Sequence, residues 1–175
     1  YNCKIHSRIR VGGFDYQCTR DMPTGALWRR RAMLFALILL AQTGATDFSA
    51  RLVTAAHERT RHHVVYDPAY VRLKYPGGDV PKGTGVCSDV VIRSYRALGV
   101  DLQVLVHEDM RRHFAKYPKL WGLKRPDRNI DHRRVPNLRR FFERRGASLT
   151  VRRNPKAFKP GDLVTWNLKS RGSLP

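Results

Sequence analysis

Residues 75–99 read Tyr-Pro-Gly-Gly-Asp-Val-Pro-Lys-Gly-Thr-Gly-Val-Cys-Ser-Asp-Val-Val-Ile-Arg-Ser-Tyr-Arg-Ala-Leu-Gly, and the two halves of this stretch differ in character. The first half is rich in Pro and Gly, which is typical of a loop. From Val86 onward apolar residues recur at roughly helical spacing, and Gly99 is a suitable C-terminal stop. Cys87 therefore lies where a loop turns into a helix. The free backbone N–H groups and the helix dipole favour a thiolate at that position.

Cys87 has two interpretations. A lone cysteine is most often a small buried hydrophobe. Against this, Gly83 and Gly85 would let a substrate backbone come close to the sulfur. Ser88 and Asp89 then give the helix a polar first turn and could line a pocket. These neighbours favour a reactive nucleophile.

Several motifs of the chain resemble a known enzyme class. Tyr75, Gly77-Gly78 and Cys87-Ser88 are similar to the signature of NlpC-type bacterial cell-wall cysteine peptidases, which are papain-like, although Val86 and Asp89 stand where that signature has Asp and Gly. A closer resemblance is to a bacterial domain-of-unknown-function family, number twelve eighty-seven, related to these peptidases. It covers about Asp47 to Pro175 and is carried by the segments Tyr66–Tyr70, Tyr75–Asp79, Thr84–Arg93, Val106–Met110, Asn129–Asn137 and Pro160–Trp166.

The resemblance implies both a fold and an activity. The fold is α+β and papain-like, of the NlpC type, with N-terminal helices followed by an antiparallel sheet. The activity is hydrolysis of an amide bond in cell-wall peptide, by thiolate attack from Cys87 and an acyl-enzyme intermediate. The Cys87 N–H, with Tyr75, would stabilise the oxyanion. From their places in the chain, Tyr66 and Tyr75 flank the approach to Cys87 and are candidates for lining its pocket.

The same resemblance places the catalytic histidine immediately after a Leu-Pro pair like Leu174-Pro175. We therefore expect that histidine just beyond Pro175, and we expect the C-terminal strands of the domain to be missing from these residues. In consequence, no histidine of this chain is expected against the Cys87 sulfur.

Other polar residues are candidates for lining the site. His107 and Asp109 fall on a helix predicted from Leu102 to Ala115. Position 111 is Arg rather than His, so His107 does not begin a zinc-protease motif, and we expect no metal and no cofactor.

A long loop between Tyr117 and Pro136 carries Asp131 and His132. Loops can reach across a fold, so His132 is the imidazole best placed to approach Cys87. The alternative is that the cluster of Asp131, His132 and the following arginines pins the loop.

The remaining pattern predicts the other elements. A helix should run from Thr46 or Asp47 to about Arg61, and a short one from Val135 or Pro136 to Gly146. Strands are predicted at Ser148–Val151 and at Leu163–Trp166.

The start of the chain reads as a processing segment. Residues 1–21 show no periodicity, and we interpret them as unstructured read-through from upstream. Residues 22–45 have an Arg-rich start, a ten-residue apolar run at Ala32–Ala41 and small residues at Thr43 and Ala45. This is the layout of a signal peptide, and the alternative is a buried core helix. Residues 46–175 then form the hydrolase domain, exported to the periplasm or the exterior.

Composition indicates the partners. The chain has 34 Lys+Arg against 14 Asp+Glu, a formal net charge of +20, which attracts polyanions. We expect a monomer that acts on cell-wall peptide or another acidic envelope polymer, without obligatory nucleic acid, and that meets the membrane only through its signal peptide. The alternative is a non-catalytic basic module that binds an anionic envelope polymer or nucleic acid. Acyl transfer to or from a lipid by the same thiol chemistry also stays open.

Overall fold

The computed structural model describes residues 4–10 and 48–167. Their helices are α1 (Phe48–Arg59), α2 (Cys87–Ala97), α3 (Leu102–His113) and α4 (Val135–Arg144). The strands are β1 (Lys4–Ile9), β2 (Val65–Tyr66), β3 (Thr84–Gly85), β4 (Ser148–Leu149) and β5 (Leu163–Asn167). Short 3-10 turns lie at Phe114–Lys116, Asp131–Arg133 and Pro155–Ala157. The predicted α+β class is thus confirmed. Across these two described ranges, no helix is long and apolar enough to cross a membrane.

The main sheet has three antiparallel strands in the order β4-β1-β5. The pairing of β1 with β5 joins Ile9 to Leu163 and Ser7 to Thr165, with an irregular register between Ile5 and Ser7. A second, two-stranded sheet pairs β2 with β3 in parallel. The predicted antiparallel sheet is therefore present, but its central strand comes from the other end of the chain.

That central strand corrects the interpretation of residues 1–21 as unstructured, which is wrong for Lys4–Ile9. Ile9 is 1% exposed and belongs to the core, and the buried Arg8 donates a hydrogen bond to Asp162, just before β5, at 2.6 Å. The sequence of this segment offers only the spacing of Ile5 and Ile9 as a sign of a strand. So short a pattern does not distinguish a strand from a loop. β1 forms because β4 and β5 both have backbone groups that need a partner.

The predicted signal peptide, residues 22–45, lies outside the described residues. Cleavage after Ala45 would, however, separate β1 from the rest of the chain. It would leave β4 and β5 without the strand that now joins them.

The core lies where α2, α3 and α4 meet. Tyr95 of α2 packs against Phe142 of α4, with ring centroids 5.8 Å apart, and Val106 and Met110 of α3 are fully buried. α2 ends just before Gly99, as the sequence predicts, because Gly99 adopts φ +82°, a backbone conformation that favours glycine. The Val100 N–H then bonds the Tyr95 carbonyl at 3.0 Å and closes the C-terminus. Residues at the N-terminus of α2 and residues of β5 line one common cavity.

Candidate active site

Cys87 is the first residue of α2 and is exposed. Val86 caps the helix from an extended conformation, and its N–H donates to the Asp89 carboxylate at 2.7 Å. The Asp89 N–H donates in turn to the Val86 carbonyl at 2.9 Å. The N–H groups of Cys87 and Ser88 occupy the first two helical positions, where no carbonyl of the helix can accept them. An accessible sulfur and polarised N–H groups therefore share one helix end.

Asp89 holds that helix end to the rest of the fold. Arg133 forms a two-pronged ion pair with it, from Nε to Oδ1 and from Nη2 to Oδ2, each at 3.0 Å. The two side chains are only 4% and 3% exposed. A Cβ at Gly85 would lie 3.1 Å from Asp89 Oδ2, so glycine leaves room for the carboxylate. Asp89 is therefore a buried structural anchor rather than the pocket-lining residue that the sequence suggested.

Ser88 links the Asp131–Arg133 turn to the start of α2. Its hydroxyl donates to the Arg133 carbonyl at 2.5 Å, and the side chain is 2% exposed. The Asp131–Arg133 turn thus contacts the first turn of α2 through a carbonyl and a guanidinium. The hydrogen bond from Ser88 and the ion pair of Asp89 therefore both fix the helix start that carries Cys87.

A cavity of about 320 Å³ lies against Cys87. Its walls are α2, α4, β1 and β5, and most of its side chains are apolar. The lining residues are Ile9, Cys87, Ser88, Val91, Val135, Leu138, Arg139, Phe142, Leu163, Val164, Thr165 and Trp166. We call this the Cys87 cavity.

Tyr66 lies close to the site in the fold. It is on β2, paired with Gly85 of β3, and its side chain is 61% exposed. Gly85 precedes Cys87 by two residues, but Tyr66 is not among the residues that line the Cys87 cavity. That Tyr66 lines the pocket stays a prediction.

Tyr75 lies elsewhere. Its hydroxyl donates to Glu108 at 3.4 Å, and its ring meets the His107 ring edge-on at 5.5 Å. Burial and the nearby Glu108 raise the pKa of Tyr75, while burial lowers the pKa of His107. Neither residue lines the Cys87 cavity. The expectation that Tyr75 assists the oxyanion at Cys87 has no support in this geometry.

The glycine pair after Tyr75 has a structural role. The Gly77 N–H donates to Asp101 at 2.8 Å, and the Gly78 N–H donates to Gln103 at 3.0 Å. A Cβ at Gly78 would lie 2.1 Å from the Lys74 carbonyl oxygen, so only glycine fits. This part of the resembled motif fastens the loop to the start of α3.

Asp109 is also engaged away from the cavity. It accepts hydrogen bonds from the Tyr117 hydroxyl at 2.6 Å and from Arg144 at 2.7 Å. Burial acts to raise the pKa of Asp109, but these hydrogen bonds outweigh it and the net direction is downward. The residue links α3 to α4 and is not a site-lining group.

Asp131 and His132 are buried beneath the start of α2, at 0% and 2% exposure. Burial lowers the pKa of His132 to about 4 and raises the pKa of Asp131 to about 6. The Nδ1 atoms of both His132 and His107 have no hydrogen-bond partner, so neither bonds the sulfur through that nitrogen. The interpretation of Asp131 and His132 as residues that pin the loop fits this burial better than a role at Cys87.

These two buried groups predict opposite pH dependences of stability. Folded His132 resists protonation, so its contribution is present above about pH 6.5, its ordinary value, and is lost as the pH falls toward 4. Folded Asp131 resists ionisation, so its contribution is present below about pH 3.9 and is lost as the pH rises through 6. Between pH 4 and 6 the two trends partly cancel.

We expect single variants to expose each trend. The free energy of unfolding of His132→Gln should fall as the pH rises from 4 to 6, and that of Asp131→Asn should rise. Urea unfolding at constant ionic strength measures both slopes. Equal slopes in the two variants would show that these groups do not titrate as their burial implies.

Part of the site was not visible in the sequence. The cavity wall from α4, with Val135, Leu138 and Phe142, was predicted only as a helix, and Ile9 of β1 was not assigned to any element. The positions 135, 138 and 142 recur at helical spacing and marked an apolar face. Nothing local showed that this face meets Cys87.

Comparison with known proteins identifies relatives of the chain. Residues 53–173 match the family described as Domain of unknown function (DUF1287). The uncharacterized protein YijF of Escherichia coli (strain K12) is 55% identical over 117 residues, which cover 67% of this chain and 57% of YijF. The chain thus spans little more than half the length of this curated relative. No solved structure matches.

Proposed function

This chain belongs to the DUF1287 family, and we propose that it is a cysteine hydrolase, related to the NlpC-type peptidases, that cleaves an amide bond. The single observation that supports this most is the exposed Cys87 at the N-terminus of α2, on the wall of a cavity of about 320 Å³. A structural cysteine would be expected inside the core, since free cysteine is among the most buried residue types.

The start of α2 has two roles in the proposed reaction, because it supplies both the thiolate and the N–H groups that face the oxyanion. The Cys87 thiolate attacks the amide carbonyl carbon, and the carbonyl oxygen becomes an oxyanion beside the N–H groups of Cys87 and Ser88. Collapse of this intermediate breaks the C–N bond, the amine leaves with a proton, and a thioester remains on Cys87. Water then attacks the thioester, releases the acid and restores the thiol.

Proton transfer needs a base, and by the resemblance this base is a histidine. His107 packs on Tyr75 and His132 is buried below α2, so neither is proposed for this role.

The substrate class is a cell-wall peptide or a related acidic envelope polymer. The net charge of +20 favours approach to an acidic polymer. The same charge also favours the alternative of a basic module that binds a polyanion without cleaving it. A binding module needs no reactive thiol, and its affinity should fall steeply with salt.

The test is detection of the acyl-enzyme. Protein incubated with purified cell-wall peptides and quenched in acid is expected to gain the mass of an acyl fragment on Cys87, together with release of new amino groups. Prior alkylation of Cys87 should prevent both. Binding of the peptides without any covalent adduct or released amine would reject the hydrolase and favour the basic module.

Export is a separate proposal that rests on the pattern of residues 22–45. Mass spectrometry of the protein from a bacterial host tests it, and a mature chain that starts at Thr46 is expected. Such a chain lacks β1 and with it Ile9, one of the twelve residues that line the Cys87 cavity, so its β5 would need another strand at the same edge. Recovery of an intact chain with β1 in place would reject cleavage.

A further inference from the structure

The Cys87 cavity has walls of unusual chemistry for an enzyme expected to act on an acidic peptide. Aliphatic and aromatic side chains dominate the lining, and none of the lining residues in the described chain is acidic. The charged residue among the lining side chains is Arg139, whose Nε lies 3.8 Å from Oε1 of Glu143 on the same helix. The cavity thus favours an apolar group and disfavours a cationic one.

The thiol and the apolar wall belong to the same face of α2. Cys87 and Val91 are one helical turn apart, so both side chains lie on the same side of the helix. Val135, Leu138 and Phe142 of α4 recur at helical spacing and form the facing wall. β5 contributes Val164 and Trp166, and the latter is 52% exposed. A group that is bonded to a carbonyl under attack by Cys87 would therefore enter apolar surroundings at once.

We propose that the Cys87 cavity is a subsite for an aliphatic acyl group, so that the substrate is an amide whose acyl side is an uncharged alkyl chain or an apolar residue. This inference rests on the proposed function for the identity of the bond that is cleaved. The binding preference itself depends only on the cavity. Each methylene that leaves water on entering the cavity stabilises the complex.

A series of N-alkyl iodoacetamides tests this preference without catalysis. The Cys87 thiolate displaces iodide and forms a thioether, which requires neither a general base nor hydrolysis. The rate constant for alkylation of Cys87, followed on its own peptide because positions 3 and 18 are also cysteine, is expected to rise from the methyl to the butyl to the hexyl probe, by up to about fourfold per buried methylene. It should level off when the chain outgrows the cavity. N-acetylcysteine supplies the reference, since a free thiol has no cavity.

Two further arms define the chemistry of the subsite. An aminohexyl probe should lose the gain of the hexyl probe, because its ammonium would be buried beside apolar side chains and Arg139. Val91→Thr should reduce the ratio of the hexyl to the methyl rate constant severalfold. Val90→Thr is the matched control, because Val90 is the neighbouring residue of α2, is 45% exposed and does not line the cavity.

The outcomes separate the two proposals. A rate that does not depend on chain length, or an equal effect of the Val90 and Val91 variants, overturns the acyl subsite. A clear dependence on chain length without hydrolysis of any amide supports the subsite and overturns the hydrolase. Hydrolysis of cell-wall peptide with no dependence on chain length supports the hydrolase and overturns the subsite.

Discussion

Replacement of Arg133 by methionine is expected to lower the free energy of unfolding by about 3–5 kcal/mol, the usual cost of leaving one member of a buried ion pair alone. Arg133 and Asp89 are 4% and 3% exposed, and two hydrogen bonds of 3.0 Å join them. Without the guanidinium, the Asp89 carboxylate keeps only the Val86 N–H as its partner among the contacts described. Urea unfolding at neutral pH measures the loss.

The double variant Arg133→Met, Asp89→Leu separates an unpaired charge from lost packing. If the cost comes from the isolated carboxylate, the second substitution should recover much of it. Arg111→Met is the surface control, because Arg111 is 65% exposed beside Glu108, and it should cost less than about 1 kcal/mol. Additive costs in the double variant would show that the ion pair is not the source of the effect.

Replacement of Arg133 should also change the reactivity of the Cys87 thiol. Asp89 caps the Val86 N–H and Ser88 bonds the Arg133 carbonyl, so the start of α2 depends on this turn. We expect slower alkylation of Cys87 in Arg133→Met under conditions where the variant remains folded.

The helices were predictable from the sequence because their signals are local. α2 begins at the loop-to-helix boundary predicted before Cys87 and ends before Gly99, and α4 ends before Gly146. Both glycines have positive φ angles, +82° and +71°, which side chains rarely adopt. An apolar period and a glycine stop are sufficient to place such elements.

The central strand was not predictable in this way. Lys4–Ile9 pairs with Leu163–Asn167, more than 150 residues away along the chain. Six residues carry too little alternation to reveal a strand, and nothing local identifies a partner at that distance. The sheet order β4-β1-β5 is a property of the folded chain alone.

The candidate site, like the fold, could be predicted only where neighbouring residues in the sequence determine the structure. The position of Cys87 at a helix start follows from its neighbours. The role of Asp89 does not, because Arg133 comes from 44 residues further along. Tyr75 was assigned by resemblance to a motif, whereas its contacts with Glu108 and His107 place it in a different cluster.

Replacement of Cys87 by alanine is expected to reduce amide hydrolysis by about 10³-fold or more, since removal of a nucleophile leaves only the contributions of binding and of the oxyanion site. Cys87→Ser should be almost as inactive, because a serine hydroxyl without a matched base is a poor nucleophile. The free energy of unfolding should change by less than about 0.5 kcal/mol in both variants, as for most surface substitutions, since Cys87 is exposed.

Ser88→Ala is the comparison that separates chemistry from structure. Ser88 is adjacent, but its hydroxyl is used by the Arg133 carbonyl, so its loss should cost about 1 kcal/mol of stability. Hydrolysis by Ser88→Ala should stay within about tenfold of the parent, since backbone N–H groups rather than this hydroxyl are proposed to hold the oxyanion. Full activity in Cys87→Ala would rule out covalent catalysis at this residue. A loss in Ser88→Ala as large as that in Cys87→Ala would instead show that the position of the helix start, not the thiol, limits the reaction.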